Sequence, residues 1–144
     1  MKILLPIDGS TASLEAIHHA TQLVQAGLQA SFVLANVQAP ANFYELVSTP
    51  DAASLEEVSQ AAGAHALAQA QALMQGAGLD FESEVASGDP GNVLVEIAER
   101  YGCDMVIMQT GGAGELRQAL LGSVSHSVVH GAHVPVTLVN TRAR

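Results

Sequence analysis

The sequence contains no tryptophan and few aromatic residues of any kind: two tyrosines and three phenylalanines, 3% of 144 residues. Yet 49% of the chain is hydrophobic, so its core has to be assembled from Val, Leu, Ile, Met and many Ala. Such small side chains suit helices lying close on a sheet. Cysteine is equally scarce. Cys103 stands alone, cannot pair within the chain and has no Cys-x-x-Cys partner, which fits a reducing compartment. Basic residues are few as well: Lys2, Arg100, Arg117, Arg142 and Arg144 face 14 acidic residues, for a net charge of −9 with histidine neutral. Spread out in this way they form no patch able to neutralise a run of phosphates, so nucleic acid and anionic membrane are not expected partners. Long apolar runs are also missing. The opening Ile3-Leu4-Leu5-Pro6-Ile7 stops at Asp8, too short for a signal-peptide core, and no later stretch reaches the ~18 apolar residues of a membrane helix. A cytoplasmic protein is the expectation.

What the chain does contain is an alternation of two kinds of segment. Lys2–Ile7, Phe32–Val37, Phe81–Val85, Met105–Met108 and Val134–Val139 are short, rich in branched or large apolar residues and bounded by turn residues, and they read as strands. Between them lie stretches with helical spacing. Leu14, Ile17, Thr21, Val24 and Leu28 recur every three or four residues, and so do Val93, Leu94, Ile97, Ala98 and Tyr101. Caps mark the helix ends: Ser10 or Thr11 for the first, Ser54 with Glu57 as a capping box for a Leu55–Gly78 helix, and Asp89 before Pro90 for the third. Gly27 and Gly102 suit left-handed positions after helix ends.

Strand and helix alternating from end to end predict an α/β doubly wound parallel sheet with helices on both faces. One domain spanning residues 1–144 is expected, since a globule of this length removes roughly 68–70% of its unfolded surface from water. The nearly all-apolar Lys2–Ile7 and Met105–Met108 read as doubly buried central strands. Phe81-Glu82-Ser83-Glu84-Val85 alternates, which places it at a margin of the sheet. Val134–Val139 is apolar on both faces and carries Pro135, a residue tolerated mainly at edges. That unprotected edge predicts a homodimer through the last strand. Gln38–Asp51, with two prolines and no period, reads as a mobile connection.

In open α/β sheets ligands bind beyond the carboxyl ends of the strands, at the point where the strand order reverses. The residues there are Asp8-Gly9-Ser10 after the first strand, Asn36-Val37 on the second, and Gln109-Thr110-Gly111-Gly112-Ala113-Gly114 after the fourth. Gly122-Ser123 precedes the last helix, where backbone N–H groups, the helix dipole and a hydroxyl suit a phosphate. Each residue also has a structural role open to it. Asp8 suits the Gly9-Ser10 turn, Ser123 suits an N-cap, Gly112 and Gly114 suit an ordinary loop, and Asn36 suits a hydrogen-bonded strand end.

From KILLPIDGS through VASGDPGNVLVEIAERYGCDMVIM to LLGSVSHSVVHGAHVPVTLVN, the whole chain resembles the universal stress protein family. The resemblance implies a five-stranded sheet of order 3-2-1-4-5 that binds ATP or another adenine nucleotide, with Mg²⁺, between strands one and four. In nucleotide-binding members a glycine, two residues, a second glycine, nine residues and Gly-Ser wrap ribose and phosphates. Here Gly112 and Gly122-Ser123 keep that spacing, but Gln109 stands where the first glycine should be. Carried over by resemblance, Asp8 and Val37 contact adenine or its surroundings, Met108 lines the pocket, and Gly112, Gly122 and Ser123 with the backbone of Val124 hold ribose and phosphates; Pro6, Ile7, Asn36, Gln109 and Gly111 beside them complete the expected nucleotide site. A Gln side chain fills space that a glycine leaves open. The expectation is therefore a nucleotide sensor, with ordering of Gln38–Asp51 and Gly111–Leu121 by ligand as its switch, and the homodimer through the last strand is expected whether or not nucleotide binds. The alternative is a stress-responsive interaction module of the same fold that has lost nucleotide binding.

Other chemistry is weakly supported. His126, His130 and His133 have a spacing that zinc sites use, but no Cys or acidic residue completes the set locally, so no metal site is expected. No Walker A lysine and no Ser-His-Asp order is present, and Arg117 is the single basic side chain near the phosphate loop. Stabilising phosphoryl transfer needs more positive charge, so no catalytic residues are assigned and at most a slow ATPase is expected.

Overall fold

Five segments of the chain are too apolar on both faces, or too strictly alternating, to remain as loops, and they form five parallel strands. The computed structural model describes residues 1–39, 52–110 and 122–140, with the side chains of 52–55 outside that description. Within it the strands are β1 (Lys2–Pro6), β2 (Ser31–Gln38), β3 (Phe81–Ser87), β4 (Met105–Gln109) and β5 (Val136–Val139). The helices are α1 (Leu14–Gln25), α2 (Ala52–Gly76), α3 (Pro90–Arg100) and α4 (Ser123–Gly131). Residues 40–51, 111–121 and 141–144 lie outside the description, and with them Gly111, Gly112, Arg117 and most of the Gln38–Asp51 connection.

The sheet runs β3-β2-β1-β4-β5, and every pairing is parallel. The apolar β1 is therefore flanked on both sides, and the alternating β3 is an edge. Pro135 stands just ahead of β5, where its missing N–H costs no ladder bond, and its carbonyl accepts from Val106 N at 2.9 Å. Strand parity divides the core between two faces. Ile3, Leu5, Phe32, Leu34 and Ile107 pack against Ile17 and Ala20 of α1 and Leu67, Ala70 and Met74 of α2. Leu4, Val33, Ala35, Val106 and Met108 pack against Leu94 and Ile97 of α3 and Val128 of α4. Among the described residues Phe32 is the largest fully buried side chain. Ala16, Ala20 and Ala70, each 0% exposed, let the helices lie close on the sheet, as the aromatic-poor composition requires.

The local signals hold at some ends and fail at others. Asp89 caps α3, its Oδ2 accepting from Asn92 N at 3.4 Å with Pro90 in the first turn. Gly27 and Gly102 have φ of 116° and 66°. The first and second helices begin elsewhere than expected. α1 starts at Leu14 with Ser13 at the cap position, because Ser10 and Thr11 belong to the turn before it. α2 starts at Ala52, so Ser54 lies inside the helix and does not cap it. Gly63, mid-helix in α2, permits close packing on the sheet: a β-carbon there would stand 2.3 Å from Val85 Cγ1.

Candidate functional site

The tips of β2, β1 and β4, adjacent in that order, form the floor of a cleft walled by the first turns of α3 and α4. Its volume is about 200 Å³. Beyond β1, Ile7 N donates to Ala35 O at 2.8 Å, which keeps the chain on the sheet up to Asp8. Asp8 Oδ1 accepts from Ser10 N at 2.9 Å and from the Ser10 hydroxyl. Ser13, 1% exposed, closes the turn by donating from Oγ to Ser10 O at 2.9 Å and from its own N–H to Ser10 Oγ at 3.2 Å. The turn thus uses one carboxylate oxygen of Asp8 and leaves Oδ2 facing β4.

There Gln109, the last residue of β4, donates from Nε2 to Asp8 Oδ2 at 3.4 Å. The two side chains join the ends of neighbouring strands. On the far wall, Gly122 occupies the cap position of α4 and its carbonyl accepts from His126 N at 2.9 Å. Ser123 is the first helical residue, so the capping role open to it falls to Gly122 instead. The amides of Ser123 and Val124 fall in the first turn, where N–H groups have no acceptor within the helix.

Of the residues named from the sequence, Pro6, Ile7, Asp8 and Val37 line one part of this cleft, and Met108, Gln109, Gly122, Ser123 and Val124 the rest. Asn36 does not line it. On β2 its side chain points to the opposite face, where Nδ2 donates to Ile7 O at 2.8 Å and Oδ1 accepts from Gln38 Nε2 at 2.6 Å. Its parity neighbour Ala35 takes the place in the lining. Sequence reading also passed over Ser13, Pro90, Leu94 and Ser125, which complete the wall. Asp89-Pro90 was legible as a helix start, but only the crossover from β3 brings this start to the cleft. Asp8 is the single charged residue of the described lining.

The histidines are disposed differently. His126 and His130 rest ring against ring, 4.3 Å between centroids, while His133 turns away to Glu99 with Nε2 3.5 Å from Oε1. Among the described residues, no three His, Cys, Asp or Glu side chains are placed to share a metal ion.

Comparison with known proteins places this architecture. Residues 1–140 match the model of the universal stress protein family. The chain belongs to the universal stress protein family. It is 33% identical to universal stress protein MJ0531 of Methanocaldococcus jannaschii, over 96% of this chain and 81% of that one. Among solved structures of universal stress proteins and their like, MJ0577 superimposes with a TM-score of 0.81 at 24% identity, covering 99% of this chain and 97% of that one. A universal stress protein in complex with cAMP superimposes with a TM-score of 0.69 at 26% identity, covering 99% and 98%. Among the described residues no helix is long and apolar enough to cross a membrane.

Proposed function

We propose that this universal stress protein binds an adenine nucleotide in the cleft and works as a nucleotide-responsive sensor in the cytoplasm, as a homodimer joined through β5. The observation that carries the reading is convergence: residues from Pro6 to Val124, far apart in the chain, meet in one cleft at the reversal of strand order. Ala35, Val37, Leu94 and Met108 offer an apolar wall that suits a base. At the other end Gly122, Ser123 and Val124 offer backbone N–H groups and the positive end of a helix dipole, which suit a phosphate. The relative with bound cAMP supports an adenine nucleotide as the ligand class.

ATP with Mg²⁺ is the form proposed. The described lining fits the metal only in part, because Asp8 is the one carboxylate in it and Oδ1 is engaged by Ser10. Mg²⁺ keeps several waters and takes most remaining ligands from phosphates, so a single carboxylate oxygen is compatible with it. When bound, it would neutralise phosphate charge in a cleft whose described lining supplies no cation. The chain's own residues bind and orient; none is assigned a chemical step.

The test is calorimetry on nucleotide-stripped protein with ATP and Mg²⁺, beside AMP and cAMP. Saturable binding is expected, and Gly122→Asp should abolish it, since Asp still caps a helix but sets a carboxylate against the phosphate. Absence of heat with all three nucleotides would remove the reading and favour the interaction module, whose specific support is the buried side chain of Gln109 at the motif's glycine position. For the homodimer the support is the half-exposed apolar edge of β5. Sedimentation at micromolar concentration checks it, and a monomer there would refute it.

A further inference from the structure

His126 and His130 stand one turn apart on the outer face of α4, both exposed, while Ser125 and Val128 turn inward. Their rings touch, with 4.3 Å between centroids and 51° between planes. Among the described residues neither ring makes a hydrogen bond or an ion pair, whereas His133 reaches Glu99. Each neutral imidazole carries one nitrogen lone pair, the commonest metal-binding group among side chains. The helix thus presents two such lone-pair donors side by side, facing solvent, with no protein partner competing for them.

The spacing of the rings tells which ion the pair suits. A metal about 2.0–2.1 Å from one nitrogen of each ring stands about 3.2 Å from each centroid, so rings sharing it lie about 4.5 Å apart at a right angle and about 5.2 Å apart at the tetrahedral angle. The observed 4.3 Å is close to the right-angle arrangement. A closed zinc set needs four ligands, and these histidines do not supply them. Cu²⁺ and Ni²⁺ instead take tetragonal nitrogen and oxygen ligands, favour imidazole, and can fill their remaining positions with water. We infer that His126 and His130 form a two-histidine site for a tetragonal late first-row divalent ion, Cu²⁺ or Ni²⁺. The net charge of −9 favours the approach of any cation. Bound there, the ion spans consecutive turns of the helix whose start walls the cleft, since His126 N donates to Gly122 O at 2.9 Å. Neither histidine lines the cleft itself, so the site is independent of nucleotide binding.

The test is calorimetry of CuCl₂ and of NiCl₂, each alone, titrated into the tag-free chain after chelator treatment and without nucleotide. One tight ion per chain is expected, with MgCl₂ giving no such site. His126→Ala and His130→Ala should each weaken it by about a hundredfold, the gain that a tethered second ligand brings, while His133→Ala leaves it unchanged. Electron paramagnetic resonance of the copper complex should show two imidazole nitrogens in the wild type and one in either variant. Because both side chains are exposed, the variants are expected to fold, and NiCl₂ should raise the melting temperature of the wild type but not of the double variant. Equal affinity in the wild type and the double variant would overturn the inference. So would a loss confined to one of the two positions, which means a single surface imidazole, or an equal loss in His133→Ala, which means a different ligand set.

Discussion

Gly91, in the first turn of α3, lies so close to α4 that a β-carbon added to it would stand 2.3 Å from the Ser127 Cβ. The two helices whose first turns wall the cleft therefore approach this closely because one methyl group is absent. Gly91→Ala is expected to destabilise the protein by about 1–3 kcal/mol through overpacking, more than the ~1 kcal/mol that alanine gains over glycine in a helix. Thermal melting checks this. Ser127→Gly, which removes the opposing Cβ from an exposed site, should restore part of the loss; an unchanged melting temperature in Gly91→Ala would contradict the packing account.

Gly63 makes the corresponding contact on the other face of the sheet, where an added β-carbon would meet Val85 Cγ1 at 2.3 Å and Cγ2 at 2.9 Å. Gly63→Ala should cost about 1–3 kcal/mol by the same overpacking, measured by urea unfolding. With Val85→Ala in the same chain, the two losses should not add, since removing the Val85 methyl groups makes room for the one that Gly63→Ala brings in. Strict additivity would show that the two positions do not share this contact.

Glu84 on the edge strand accepts from both guanidinium ends of Arg100 at 2.8 Å and from the Tyr101 hydroxyl at 2.9 Å. The Arg100 hydrogen bonds lower its carboxyl below the usual range, with burial opposing them and Tyr101 assisting. A carboxyl lowered in the folded state stabilises fully above its unfolded pKa of about 4.3 and loses that effect as pH falls through the folded value. The melting-temperature difference between wild type and Glu84→Gln should therefore be greatest near neutral pH and vanish in acid. The same hydrogen bond to Glu84 raises the Tyr101 phenol above its ordinary value. Ultraviolet titration should place it lower in Glu84→Gln, and no movement would dissociate the pair.

Cys103, 6% exposed between α3 and β4, has its thiol pushed up chiefly by burial, with Asp104 adding to the effect and Lys2 opposing it. A thiol-reactive disulfide should label the native protein slowly at neutral pH and quickly in denaturant, with native labelling accelerating only above the ordinary thiol pKa of about 8.5. Fast native labelling at neutral pH would show the thiol to be accessible and ionised.

Elements whose signals are local could be read from the chain. Five apolar or alternating runs, the Asp89-Pro90 helix start and the glycines after α1 and α3 appear where periodicity and capping put them, because their determinants are neighbours in sequence. The first helix begins a few residues after the expected caps Ser10 or Thr11, which the turn engages, and the second begins two residues before the expected cap Ser54. Asp8, Val37, Met108 and Gly122 were legible as residues at strand ends and a helix start. That Asn36 leaves the cleft while Ala35 joins it depends on which face of β2 meets α3. That Gln109 reaches Asp8, 101 residues away, depends on β4 pairing beside β1. Composition and periodicity determined which segments extend or coil; the faces, the strand neighbours and hence the meeting of Asp8 and Gln109 at the floor of the cleft were decided by long-range pairing, whose partners no local pattern encodes.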